Sequence, residues 1–391
     1  MQKFITFIKY KTRPIRIYYL IIIKLYLLRI IVFLVKFCFK SHTKKKNIIY
    51  KFDSLIIPVS QKLKIYTYPY SLRMFTAKTY SYLRSSIFPF KLNKNKIDYS
   101  VINDLNKNGH SNNIPLKISI QKCNKLISYF TKKPSFFTHG YSSDVLLDKK
   151  DSLEILRQKN KSLPKYISYG YSEQLDCGEL FKLIINPTII EFAHAYLGCI
   201  PKIQYLNTFW TLPSKDNAWL ANYHRDLDDY LSLTLMINWT NTLENNSGTS
   251  FIKGTHRPSS MLSSKLIKSI DKFFPKTRNF KSYSNEDIFN IFRESSYPGY
   301  GQNQRYKNIF QENNDFLSSS GIQGTISLQN NEGLHCGPMF KGQRLISWIR
   351  YGCSGGVSER IINVKGVKLK NEYKKIIQNS KYGFLIQELF D

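Results

Sequence analysis

From Ile203 onward the chain reads as a succession of short strands. IQYLNTFWTL, LSLTLMINW, GTSFIKG, GTISLQ and RLISWIRYG are rich in β-branched and aromatic residues, and turn residues separate them. Ahead of them the texture is helical. VINDLNKN starting at Val101 reads as a short helix stopped by Gly109, and a second helix follows an extended step from about Ser119. PTIIEFAHAYL, residues 187–197, reads as another, with Pro187 at its start and Gly198 just past its end. Helices followed by a run of short strands argue for the α+β class, with a β-sandwich or jelly-roll core. At 391 residues the chain is long enough to bury a large one. Residues 258–320 interrupt the strands with a Ser/Asn-rich, partly helical insertion of the kind that serves as a lid or substrate loop.

The charge is unevenly spread. The whole chain carries +31, and residues 1–100 hold 21 basic side chains against two acidic ones. A nucleic-acid-binding surface would place its charge around the site, so this distribution argues against such a partner. The excess is densest in residues 1–48, where the largely apolar run IYYLIIIKLYLLRIIVFLVKFCF (residues 17–39) is broken by Lys24, Arg29 and Lys36. Its 16 Ile, Leu, Val and Phe residues favour insertion by roughly 0.3–0.6 kcal/mol each, and a central Lys or Arg costs roughly 2.5–3.5. The sum is near zero. Three readings stay open: a basic apolar helix anchored on an anionic membrane surface, a helix packed on the body of the protein with its basic stems snorkelling out, and a stretch absent from the mature protein, with Met74 a later start. Residues 49–97 read as a connecting region, and 98–391 as the main domain.

Six cysteines without a CxxC pair fit a reducing, cytoplasmic compartment, with association to a membrane if residues 1–48 anchor the chain. Of seven histidines, two stand in informative settings. In Asn222-Tyr223-His224-Arg225-Asp226, residues i and i+2 point to one side of a strand end, so His224 and Asp226 can reach one metal. His335, in Gly333-Leu334-His335-Cys336-Gly337, follows a distant strand and completes two imidazoles and one carboxylate. That set leaves coordination positions open and suits Fe(II) oxygen chemistry. Arg344 opens the next strand, where a guanidinium can pair with a dicarboxylate co-substrate.

Read together, HRDLDDYLSLTLMINWTNTLENNSGTSFIKGTHR and GTISLQNNEGLHCGPMFKGQRLISWIRYG resemble the phytanoyl-CoA dioxygenase-like branch of the Fe(II)/2-oxoglutarate oxygenases, over about residues 98–365. The resemblance implies a double-stranded β-helix with flanking helices. It implies Fe(II) on His224, Asp226 and His335, 2-oxoglutarate held at Arg344, and O2 as the other co-substrate. The implied reaction hydroxylates a small or lipid-linked metabolite and releases succinate and CO2. Related halogenases carry a small residue in place of the carboxylate, so Asp226 points to a hydroxylase. Trp239 stands where some members line the co-substrate pocket. Gly337 departs from the pattern, because some members carry a Ser there that holds the co-substrate; Asn207 or Tyr205 is the expected replacement.

Other residues read as structural. His256 in Gly254-Thr255-His256-Arg257 turns the chain, His110, His139 and His194 are core or surface residues, and Asp228 and Asp229 form a solvated turn or support the metal site. Two further readings of the whole chain compete with catalysis: a non-catalytic jelly-roll binding protein, and a membrane-associated basic protein acting through residues 1–97.

Overall fold

The computed structural model describes residues 70–92, 97–134, 152–158, 166–212, 226, 229–242, 248–256, 316–337, 342–356 and 367–390. Its frame is a six-stranded antiparallel sheet in the order β1-β7-β4-β9-β3-β2. The strands are β1 (His110–Ser111), β2 (Tyr166–Ser168), β3 (Lys202–Thr211), β4 (Ser232–Asn238), β7 (Ile326–Gln329) and β9 (Arg344–Gly352). A second, three-stranded sheet runs β6-β5-β8, with β5 at Ser250–Ile252, β6 at Phe316–Ser318 and β8 at His335–Cys336. The α+β class and the five strands expected from the sequence are present.

The large sheet has two unlike faces. Leu206, Trp210, Leu233, Leu235, Ile237, Leu345, Ile349 and Tyr351 are buried together with helical side chains in the main core. The opposite face carries a smaller cluster of Tyr166, Phe209, Met236 and Ile346, with Trp348 packed on it. Strand alternation separates the two sets, and residues paired across strands share a face. The functional residues lie on the second face, toward the small sheet.

The helices cover the first face. In α2 (Tyr99–Asn108), Asp98 caps the N-terminus by accepting from the Ser100 N–H, and Val101, Ile102 and Leu105 are buried. It stops at Gly109, whose φ of 81° and close approach to the His256 ring admit no side chain. The α3 helix (Ile120–Lys132) is capped by Ser119, and α4 spans Leu153–Gln158. Two short helices, α5 (Tyr171–Leu175) and α6 (Gly178–Ile184), lead into α7 (Pro187–Leu197). That helix begins at Pro187 and ends at a left-handed Gly198, as its sequence predicts. C-terminal helices α8 (Asn371–Asn379) and α9 (Phe384–Gln387) close the layer.

Two expected boundaries move. Residues 70–92 belong to the body and are not part of a connecting region: α1 (Tyr70–Ile87) is an 18-residue helix that buries Ala77, Tyr80, Leu83 and Ile87 in the main core. Its Arg84 donates to the Ile200 and Pro201 carbonyls and pairs with Glu388 at 3.0 Å. The insertion ends before residue 316, because Phe316–Ser318 is a strand paired with β5. Residues 1–69 and 257–315, with the N-terminal segment and the expected lid, lie outside the described residues. Among the described residues no helix is long and apolar enough to cross a membrane.

Candidate active site

The second face of β9 sets the site out in rungs. Arg344 pairs with Thr211, which pairs with Tyr166 on β2. Ile346 pairs with Phe209 and Asn238, Trp348 with Asn207 and Met236, and Arg350 with Tyr205 and Thr234. Antiparallel alternation therefore lays Arg344 and Arg350 on one surface, at opposite ends of the strand.

At the Arg350 end, Asp226 is buried. Its N–H donates to the Asn331 carbonyl at 2.8 Å, and Asn331 Nδ2 donates back to Asp226 Oδ2 at 3.3 Å. Arg350 Nη2 donates to the same oxygen at 2.9 Å, while Arg350 Nε donates to Thr234 Oγ1 at 3.1 Å and its guanidinium lies over the Tyr205 ring. His335, also buried, brings Nε2 to 3.6 Å from Asp226 Oδ2. Its Nδ1 sits 2.9 Å from the Gly333 carbonyl. A carbonyl only accepts, so Nδ1 is the donor in this contact and Nε2 is the ring nitrogen turned toward Asp226. These two atoms are close enough together that one metal ion would be held by both. A carboxylate and an imidazole fixed in this way are a donor set that fits a divalent transition metal.

His224 lies outside the described residues, so the third expected ligand has no described position. Among the described residues no group of three metal-binding side chains comes together.

At the other end, Arg344 is buried and its Nε donates to Thr211 Oγ1 at 3.4 Å. Burial lowers the guanidinium to about 10, with Tyr166 beside it opposing the drop. It stays charged at neutral pH. A small cavity joins the two ends and is lined by Tyr166, Phe209, Thr249, His335, Gly337, Arg344 and Trp348. The two sheets supply these residues jointly, so the cavity sits between them.

The other expected site residues are placed as follows. Asn207 and Tyr205 share the face of Arg344 but stand on the Trp348 and Arg350 rungs, and Phe209 is the β3 residue that lines the cavity. Trp239 is not brought to Arg344. Its indole N–H donates to Ser347 Oγ at 2.7 Å, and its ring is buried in the helix-side core. Alternation explains this, because Trp239 continues the series Leu233, Leu235, Ile237 on the first face. Asp229 is not a solvated turn residue. It is fully buried and accepts from the Tyr230, Cys353 and Ser354 N–H groups, the Ser354 hydroxyl and Gln204 Nε2. Burial pushes its carboxyl up and these donors pull it back down.

Arg350, Asn331, Thr249, Tyr166 and Trp348 were not expected. Arg350 and Trp348 carried a signal: in RLISWIRYG they fall at even spacing from Arg344, hence on its face. Thr249, Tyr166 and Asn331 carried none, since they reach the site by strand pairing and loop closure across long stretches of chain.

No protein-family model and no curated protein matches the chain. Solved structures do. One is the non-haem α-ketoglutarate-dependent carbocyclase SnoK from nogalamycin biosynthesis, at 11% identity and a TM-score of 0.36, covering 66% of this chain and 84% of that one. EctD from S. alaskensis with bound Fe aligns at 10% identity and a TM-score of 0.39, over 67% and 79%. HygX from Streptomyces hygroscopicus, with nickel and 2-oxoglutarate bound, aligns at 9% identity and a TM-score of 0.38, over 66% and 87%.

Proposed function

We propose that the protein is a non-haem Fe(II)/2-oxoglutarate-dependent oxygenase, a hydroxylase of the phytanoyl-CoA dioxygenase-like kind built on a double-stranded β-helix. The observation that carries this reading is a cavity between two sheets lined both by His335, whose Nε2 stands 3.6 Å from Asp226, and by a buried, charged Arg344. His224, Asp226 and His335 would hold Fe(II). Arg344 would take the far carboxylate of 2-oxoglutarate, because a buried guanidinium offers a fork of donors to a planar anion. When bound, iron, 2-oxoglutarate and O2 together supply the oxidation that puts a hydroxyl on the substrate and releases succinate and CO2.

The chain's own residues do the rest. The Gly333 carbonyl fixes the His335 tautomer. Asn331 and Arg350 orient Asp226 by donating to its Oδ2. Phe209, Tyr166 and Trp348 supply most of the apolar lining of the cavity. The substrate in this reading is a small or lipid-linked metabolite, and the basic segment 1–48 would hold the enzyme at an anionic membrane surface.

The test is anaerobic titration of the full-length protein with Fe(II) and 2-oxoglutarate, following the weak visible charge-transfer band of the chelate. The band is expected in the native protein, absent in Asp226→Ala and His335→Ala, and shifted to at least tenfold higher 2-oxoglutarate in Arg344→Ala. A folded native protein that gives no band is instead a non-catalytic jelly roll.

A further inference from the structure

Two buried polar atoms of residues that line the cavity meet no partner among the described residues. Thr249 Oγ1 and Trp348 Nε1 have no hydrogen-bond partner among the described residues, and Thr249 is only 1% exposed. A buried hydroxyl or indole N–H without a partner is costly, so native structures rarely keep one without a ligand to meet it. Both residues line the same cavity as Arg344.

Thr249 is also rigidly placed. Its N–H donates to Ser319 Oγ at 2.8 Å, and its carbonyl accepts from the Ser319 N–H at 2.9 Å. The β5–β8 register pairs Ser250 with Cys336 and Phe251 with His335. One step further along that antiparallel register sets Thr249 beside Gly337. By alternation Phe251, Thr249, His335 and Gly337 share a face, and three of the four line the cavity. Position 337 has no side chain to offer a ligand, and the residue across from it, which lines the same cavity, carries a buried hydroxyl.

From this we infer that Thr249 is the hydroxyl donor to the carboxylate that Arg344 receives, supplied across the strand pair in place of a side chain at 337, with Trp348 Nε1 as a second donor. The inference rests on the reading of the cavity as a 2-oxoglutarate site and gives to Thr249 the role expected of Asn207 or Tyr205. One neutral hydroxyl and one N–H beside a guanidinium suit a carboxylate, which is flat, singly charged and rich in acceptor positions.

Equilibrium binding of 2-oxoglutarate to the Fe(II)-loaded full-length protein, measured without oxygen, tests it apart from turnover. Thr249→Val keeps the shape and removes the hydroxyl, and should weaken 2-oxoglutarate about tenfold, the worth of one hydrogen bond to a charged acceptor, with Fe(II) affinity unchanged. Thr249→Ser keeps the hydroxyl and should bind within a few-fold of the native protein. Adding Gly337→Ser to Thr249→Val should recover part of the loss. If Thr249→Val binds like the native protein, or if Thr249→Ser loses as much as Thr249→Val, the hydroxyl is not a contact and the inference falls while the oxygenase reading stands. If the native protein itself takes up no 2-oxoglutarate, both fall together.

Discussion

At the scale of single residues, Asp229 shows how far a carboxylate beside a metal motif can be from metal work. Five donors from β3, the start of β4 and the turn after β9 converge on it. Gly352 passes so close that a Cβ there would meet both Gln204 and Asp229. The carboxylate therefore fastens the ends of three strands. Asp229→Asn turns one acceptor oxygen into a donor facing donors, and should cost about 2–4 kcal/mol of stability. A drop in the urea midpoint with an unchanged slope would show this, and Fe(II) affinity per folded molecule should not move. Order along the chain was enough to single out three residues that lie near one another: His335 and Arg344 line one cavity, and Asp226 stands 3.6 Å from His335. It failed where the face decided. Trp239 belongs to an apolar odd-numbered series whose direction is set only once β4 pairs with β9.

Among the elements, α1 is where sequence and structure part most. Arg73 and Arg84 fall in the stretch expected to be a connecting region, yet both are buried, against Glu332 at 2.5 Å and Glu388 at 3.0 Å. Their partners lie 259 and 304 residues away along the chain, a distance no local pattern reveals. The long strands β3, β4 and β9 were legible because each sustains its pattern over seven residues or more. The strands β1, β2, β6 and β8 are two or three residues long, too short for alternation to show. The α1 pairing makes a specific demand. Removing one partner of a buried ion pair strands the other's charge, which costs about 3–5 kcal/mol, whereas replacing both by apolar groups costs much less. Arg73→Met should thus destabilise the protein by about that amount, and Arg73→Met with Glu332→Met should recover a substantial part in a denaturant titration. Glu332 lies three residues before His335. Arg73→Met should therefore also weaken Fe(II) binding.

For the whole molecule, folding is coupled to acid through a histidine outside the site. His110 is fully buried at the junction of α2, β1 and the second sheet, its ring 5.9 Å from that of Phe251. Its Nε2 has no hydrogen-bond partner among the described residues. Burial lowers it from 6.5 to about 4. In the folded state it is neutral across that interval, whereas in the unfolded chain it takes up a proton as the pH falls below 6.5. The unfolded state thus binds more protons between about 4 and 6.5, and stability rises with pH through this window. The whole contribution is present above pH 6.5 and is lost as the pH falls to about 4, an amount on the order of 3 kcal/mol. His110→Phe removes the titration and keeps an aromatic ring against Phe251. The variant should unfold at a denaturant midpoint that changes less between pH 7 and pH 4.5 than that of the native protein. Equal pH slopes for the two would place the acid sensitivity elsewhere, with Asp226 and its Arg350 partner the next groups to examine. A chain with this much basic charge adds general self-repulsion as its carboxylates protonate, but that term is common to both proteins and cancels in the comparison.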